Sequence, residues 1–177
     1  MTTQSEIYAL AERLGQVLLS RNVRCTVAES CTGGGLAVAI TDVAGSSQWF
    51  DRGFVTYSNE SKQQMLGVPA QMIASQGAVS EAVVRAMAEG ALAASAANLS
   101  VAISGIAGPD GGTLEKPVGT VWVAWFGDGQ TTQAKCYLLS GDRLTIRQQA
   151  VKIALKGLIQ IITKGFPLSH KMDSLRL

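Results

Sequence analysis

Val27-Ala-Glu-Ser-Cys-Thr-Gly-Gly-Gly-Leu-Ala-Val-Ala-Ile40 runs from a short apolar β stretch, through a polar pair and three glycines, into a helical apolar pattern. Arg24 to Ala28 reads as a buried strand and Thr32 to Val43 as a helix whose glycine-rich start holds its first turn open. A strand that stops and re-forms as a helix is the basic unit of a layered α/β fold. It also gathers side chains and unpaired backbone N–H groups at one point. Helix N-termini attract negative charge and glycines permit close approach, so the corner suits a small anionic substrate.

The elements around this corner follow the same logic. Ile7, Leu10, Leu14, Val17 and Leu18 recur at helical spacing, which predicts an amphipathic helix from about Ser5 to Ser20. Ala44 to Ser47 breaks the second helix, Trp49 and Phe50 pack in a turn, and Gly53 to Tyr57 reads as a strand. Ser58-Asn59 offers a cap for a short helix closed by Gly67, and Pro69 opens another up to Gly77. Ser80 caps an alanine-rich helix to about Ala97, with Val83, Val84, Met87, Ala91 and Leu92 inward. Leu99 to Ile103 is an apolar strand. Val118 to Phe126 and Thr131 to Leu139 form a hairpin through Gly127-Asp-Gly129. Asp142 caps a last helix to about Lys164. The expected fold is a single-domain three-layer α/β/α arrangement with a mixed central sheet of about five strands. It is expected over residues 1–165, with 166–177 as a loose tail.

Composition narrows the function. A chain of 177 residues fits one domain with a real core, and a net charge of +2 gives no nucleic-acid footprint. The N-terminus lacks a basic head followed by an apolar block, and no apolar run reaches the ~20 residues of a membrane span. The three cysteines, Cys25, Cys31 and Cys136, form no Cys-x-x-Cys pair, so a reducing cytoplasm is expected and a zinc site or disulfide framework is not. The one histidine, His170, lies in the tail, which disfavours a Ser-His-Asp triad or a histidine metal site. No metal or cofactor is expected.

Four features remain as chemistry. Ser30, at the strand-to-helix switch, is either a nucleophile whose oxyanion the following turn holds or an N-cap that satisfies orphan N–H groups. Cys31 lacks an activating histidine and reads as packing. Tyr57, Asn59 and Lys62 lie where a strand ends and a helix begins. Lys62 is either a lysine held neutral as the base for serine, with Tyr57 handling the proton, or a solvated surface residue. Ser104-Gly-Ile-Ala-Gly-Pro-Asp-Gly-Gly-Thr113 is either a backbone phosphate cradle or an ordinary long turn. Arg143 and Arg147 open the last helix, where an arginine either clamps a phosphate or stays solvated. Walker A, Tyr-x-x-x-Lys and Ser-x-x-Lys patterns do not fit these spacings.

Taken together, Ala28-Glu-Ser-Cys-Thr-Gly-Gly34, Gly53-Phe-Val-Thr-Tyr-Ser-Asn-Glu60 with Lys62, Gly77-Ala-Val-Ser80, Ser104 to Pro109 and Glu115-Lys-Pro-Val-Gly-Thr120 resemble the family of CinA C-terminal domains. The likeness covers about residues 5 to 163. Characterised members of that family are nicotinamide-nucleotide amidases, so the resemblance implies hydrolysis of the carboxamide of nicotinamide mononucleotide to the nicotinic acid mononucleotide and ammonia. It implies Ser30 as nucleophile, Lys62 as base and Tyr57 as proton-handling partner. Thr32, Gly33 and Gly34 would hold the oxyanion. Asn59, the loop residues Gly105, Ile106, Ala107 and Gly108, and Arg143 or Arg147 would meet the nucleotide. Ser61 stands where the family commonly has alanine, and the tail from Phe166 has no counterpart. A non-hydrolytic nucleotide-binding module of the same fold and a hydrolase for another small amide remain the rival expectations. A homo-oligomer, most simply a dimer, is the expected assembly.

Overall fold

The computed structural model describes residues 2–127 and 129–164; the tail lies outside the described residues. In chain order the elements are α1 (Thr3–Arg21), β1 (Cys25–Glu29), α2 (Gly35–Thr41), β2 (Phe50–Val55), α3 (Asn59–Leu66), α4 (Ala70–Gln76), α5 (Glu81–Ala93), β3 (Leu99–Gly105), β4 (Thr120–Gly127), β5 (Gln133–Leu138) and α6 (Arg143–Thr163). The five strands form one mixed sheet in the order β2-β1-β3-β4-β5. β1 runs parallel to both β2 and β3, whereas β3, β4 and β5 are antiparallel neighbours.

Side-chain alternation decides what covers each face. Leu99, Val101 and Ile103 of β3 join Cys25 and Val27 of β1 in a large core beneath α1, α2 and α6. The other face carries small residues, Ala28, Ala102 and Ala124, against α5 with its buried Ala88 and Ala91. Small side chains on both partners let the helix lie close to the sheet. Ser100 Oγ uses that closeness, donating to the Ala88 carbonyl of α5 at 2.7 Å, and Ser104 Oγ donates to the Ala78 carbonyl in the connection before α5, also at 2.7 Å. Helices thus cover both faces, the three layers expected from the sequence.

Several boundaries shift by a few residues from the pattern-based expectation, β2 for example ending at Val55 before Tyr57, and three of the shifts have evident causes. α2 begins at Gly35, because Gly33 and Gly34 have φ of 57° and 94° and cannot belong to a right-handed helix. β2 starts at Phe50, because the Trp49 carbonyl accepts from Cys25 N–H at 2.8 Å and draws the chain into the ladder early. α5 ends at Ala93, and Asn98 turns the chain into β3 by accepting from Arg24 N–H through its side chain.

The topology places the site. β1 is followed by β2 on one side and flanked by β3 on the other, so the chain switches direction across the sheet at the end of β1. In open α/β sheets a crevice forms at the carboxyl ends of strands at such a switch. Ser30 is the first residue past β1, and its N–H donates to the Ile103 carbonyl of β3 at 3.0 Å.

Candidate active site

Ser30 and Lys62 lie 32 positions apart and meet at this switch, with Lys62 Nζ 3.1 Å from Ser30 Oγ. Ser30 is 9% exposed and Lys62 1%. α3 delivers the lysine. Its N-cap is Ser58, whose Oγ accepts from Ser61 N–H at 3.0 Å while Ser61 Oγ accepts from Ser58 N–H at 3.1 Å. Ser61 thus closes a reciprocal capping box. Asn59 is the first helical residue instead of the cap and is exposed. Lys62 therefore falls one turn inside the helix, and helical side chains lean back toward the N-terminus, here beneath the end of β2.

The surroundings of Nζ suit a neutral amine. Besides Ser30 it reaches the Thr56 carbonyl at 2.8 Å and the Ser58 carbonyl at 3.5 Å. Burial pushes the Lys62 pKa below the ordinary lysine value, opposed in part by Cys31. A neutral amine has two N–H groups and one lone pair. In that form the two carbonyls take the N–H groups and the lone pair faces the serine hydroxyl, whereas the ammonium form donates to all three oxygens. The neighbouring Cys31 thiol is pushed up to about 11 by burial and stays protonated near neutrality.

The turn after Ser30 is organised by Glu29, a residue to which the sequence reading gave no role. Its buried carboxylate accepts from Gly34 N–H at 3.1 Å, Leu36 N–H at 3.0 Å and Ala37 N–H at 2.8 Å. It thereby caps α2 from the preceding strand, in place of the side chain that the N-cap Gly34 lacks. A glutamate closing an apolar strand just before a helix whose cap position is glycine was the available signal. Gly33 N–H is also engaged, with the Ser30 carbonyl at 3.0 Å. Gly33 and Gly34 therefore have no N–H to offer an oxyanion. Cys31 and Thr32 N–H find no acceptor among the described residues. Thr32 Oγ1 and Thr56 Oγ1 are likewise buried without a partner.

The two arginines separate. Arg147 donates to the Thr32 carbonyl at 2.8 Å, so it holds the turn from beneath. Arg143 is exposed; it donates to the Gly108 carbonyl at 2.7 Å and to Tyr57 Oη at 3.0 Å. Tyr57 is 60% exposed and its hydroxyl bonds to neither Ser30 nor Lys62, so the geometry gives no proton relay through it. Tyr57 instead belongs with Arg143 and Gly108 at the mouth. In the loop after β3, Gly105 pairs with Val121 in the ladder and Ile106 N–H donates to Thr120 at 2.9 Å. Ala107 and Gly108 N–H find no acceptor among the described residues. Lys116 ties the far end of the loop to α4, donating to the Gln76 carbonyl at 3.0 Å.

Comparison with known proteins agrees over the same span. Residues 7–162 match the family model described as the CinA C-terminal domain. The chain is 56% identical over 161 residues to the nicotinamide-nucleotide amidohydrolase PncC of Escherichia coli K12, covering 89% of this chain and 96% of that protein. It is 54% identical over 158 residues to the protein of the same name from Pseudomonas putida, covering 89% and 98%. Among solved structures, the competence/damage inducible protein CihA of Agrobacterium tumefaciens superposes with a TM-score of 0.86 at 43% identity, covering 88% of this chain and 95% of that one. The chain belongs to the CinA C-terminal domain family.

Proposed function

We propose that this chain is a nicotinamide-nucleotide amidohydrolase that converts nicotinamide mononucleotide and water to nicotinic acid mononucleotide and ammonia, a step of pyridine-nucleotide salvage. The high identity to relatives bearing that name over nearly their whole length supports the reaction. The observation that carries the mechanism is the 3.1 Å separation of Ser30 Oγ from a buried lysine amine.

Neutral Lys62 takes the Ser30 proton as Oγ attacks the carboxamide carbon, forming the C–O bond of a tetrahedral intermediate. Its oxyanion is held by the N–H groups of Cys31 and Thr32, the unengaged donors of the turn. The lysine ammonium then returns the proton to the leaving nitrogen, the C–N bond breaks and ammonia departs. Water attacks the acyl ester, Lys62 accepts its proton, and the proton passes to Ser30 Oγ as the carboxylate product is released. Arg143, with Tyr57 and the free N–H groups of Ala107 and Gly108, receives the phosphate end of the nucleotide. The three free cysteines, two of them buried, support the expectation of a reducing cytoplasm.

The test is ammonia release from nicotinamide mononucleotide by the wild-type chain and by Ser30→Ala. The wild type is expected to turn over, and the alanine variant to bind the nucleotide while losing activity by about a thousandfold or more. Binding without turnover by the wild type would instead make this a nucleotide-binding module. Turnover retained in Ser30→Ala would remove the serine from the chemistry.

A further inference from the structure

A groove of about 640 Å³ lies between β5 and α6, built by residues the reaction does not use. It exists because α6 packs over β3 and β4, so that among the described residues this face of β5 has no helix on it. Val121, Val123 and Trp125 face the α6 core, so their register partners Tyr137, Lys135 and Gln133 point into the uncovered space. The floor is aromatic and firmly seated. Trp125 donates its indole N–H to the Ala154 carbonyl at 3.1 Å and packs where Gly157 has no side chain. Lys135 Nζ stands 5.2 Å from the centre of the Tyr137 ring.

The charge is one-sided. Lys135, Lys156 and Lys164 line the groove with three glutamines, and no carboxylate lines it among the described residues. None of the three lysines makes an ion pair among the described residues, whereas Lys152, on the same helix but outside the groove, is paired with Glu6 at 3.1 Å. Lys156, Gln160 and Lys164 recur every fourth residue, one row along α6 spanning ~12 Å. A two-fold axis through the groove would bring these lysines near one another with no carboxylate among the described lining residues to answer them. An anion answers them directly. The size is that of a nucleotide site, and aromatic floor plus lysine rim suits a base with a phosphate.

We propose that the β5–α6 groove is a second ligand site, separate from the Ser30 corner, that binds a phosphorylated nucleoside. The base rests on Tyr137 and Trp125, and the phosphate lies among Lys135, Lys156 and Lys164. This goes beyond the proposed amidase reaction and does not depend on it.

The experiment is titration calorimetry of the full chain with adenosine 5′-monophosphate, with adenosine and inorganic phosphate as comparisons. Arg143→Ala, which weakens the catalytic mouth, is expected to leave this binding intact. Lys135→Ala/Lys156→Ala, checked for folding by its thermal melt, is expected to weaken it about tenfold or more. Both comparison compounds should bind at least about tenfold more weakly than the mononucleotide. The proposal is overturned by no binding, or by binding lost in Arg143→Ala and kept in the double lysine variant. Inorganic phosphate binding as tightly as the mononucleotide would overturn the nucleoside class. A wild-type dimer that the lysine substitutions dissociate in sedimentation would make the groove an interface instead.

Discussion

Replacing Lys62 by methionine should abolish activity and yet stabilise the protein at low and neutral pH. Lys62 is 1% exposed, and its amine contacts only neutral oxygens, those of Ser30, Thr56 and Ser58. A buried ammonium retains an effective desolvation cost of several kcal/mol after relaxation, of which these contacts return part. Methionine has similar length and no charge, but it leaves the buried Thr56 carbonyl without its donor, at a cost of about 1–3 kcal/mol. The difference favours the variant by about 1–2 kcal/mol, or about 2–8 °C in Tm for a domain of this size. The pH dependence has a defined sign. Burial lowers the folded-state pKa of Lys62 below its unfolded value, so over that interval the unfolded chain binds more protons. Wild-type stability therefore rises with pH between the lowered pKa and the ordinary lysine range. The advantage of methionine is largest below that window and is lost above it, where only the orphaned carbonyl remains. Urea unfolding of both proteins at pH 6 and pH 9.5 measures this. A variant less stable at pH 6, or a difference independent of pH, would refute the claim that burial lowers the Lys62 pKa. In the proposed mechanism the same window governs catalysis: kcat/KM should climb with pH through the lowered pKa, because only a neutral amine can accept the serine proton.

Three further perturbations test other parts of the site. Glu29→Gln presents an amide N–H₂ to helix N–H groups that need an acceptor; kcat should fall about 10–100-fold with KM little changed, and a rise in KM alone would deny it the role of positioning the turn. Arg143→Ala should raise KM for the mononucleotide about tenfold or more while leaving hydrolysis of nicotinamide riboside unaltered; equal losses on both substrates would take the phosphate away from Arg143. Gly157→Ala places a β-carbon in the Trp125 indole and should cost about 1–3 kcal/mol in urea unfolding, and unchanged stability would mean the indole can shift.

The fold was legible because its signals are local. Apolar spacing marked α1 and α5, a glycine closed α3, and the Gly127–Gly129 punctuation joined β4 to β5. Ser30 and Lys62 each have two readings in the sequence, the lack of a usable histidine and the family resemblance favour the catalytic one, and their 3.1 Å approach is something spacing could not supply. What escaped depends on side chains meeting across long separations. Arg143 reaches Tyr57 over 86 positions and Arg147 reaches Thr32 over 115, so propensity could not say which arginine faces the mouth. The β5–α6 groove was equally invisible. It arises from the lateral position of a helix over a sheet, whereas periodicity reports only which side of each element is apolar.

The stretch that defines the fold reads as an anion site, since a strand feeds a glycine-rich helix N-terminus. The structure gives that N-terminus an anion of its own. With Gly34, Leu36 and Ala37 N–H bound by the Glu29 carboxylate, the positive end of α2 is largely answered from within. A permanently charged phosphate brought there would face a buried carboxylate; it is better received by Arg143 at the mouth, where a guanidinium is exposed. What stays open beside Ser30 is the pair of Cys31 and Thr32 N–H groups, neutral donors on a turn that Arg147 and Glu29 hold from two sides. Neutral, preorganised donors favour a charge that exists only during bond formation over one the substrate carries throughout. The division of labour in the proposed reaction, a transient anion at Ser30 and a permanent one at Arg143, is thus supported by one glutamate at the end of β1.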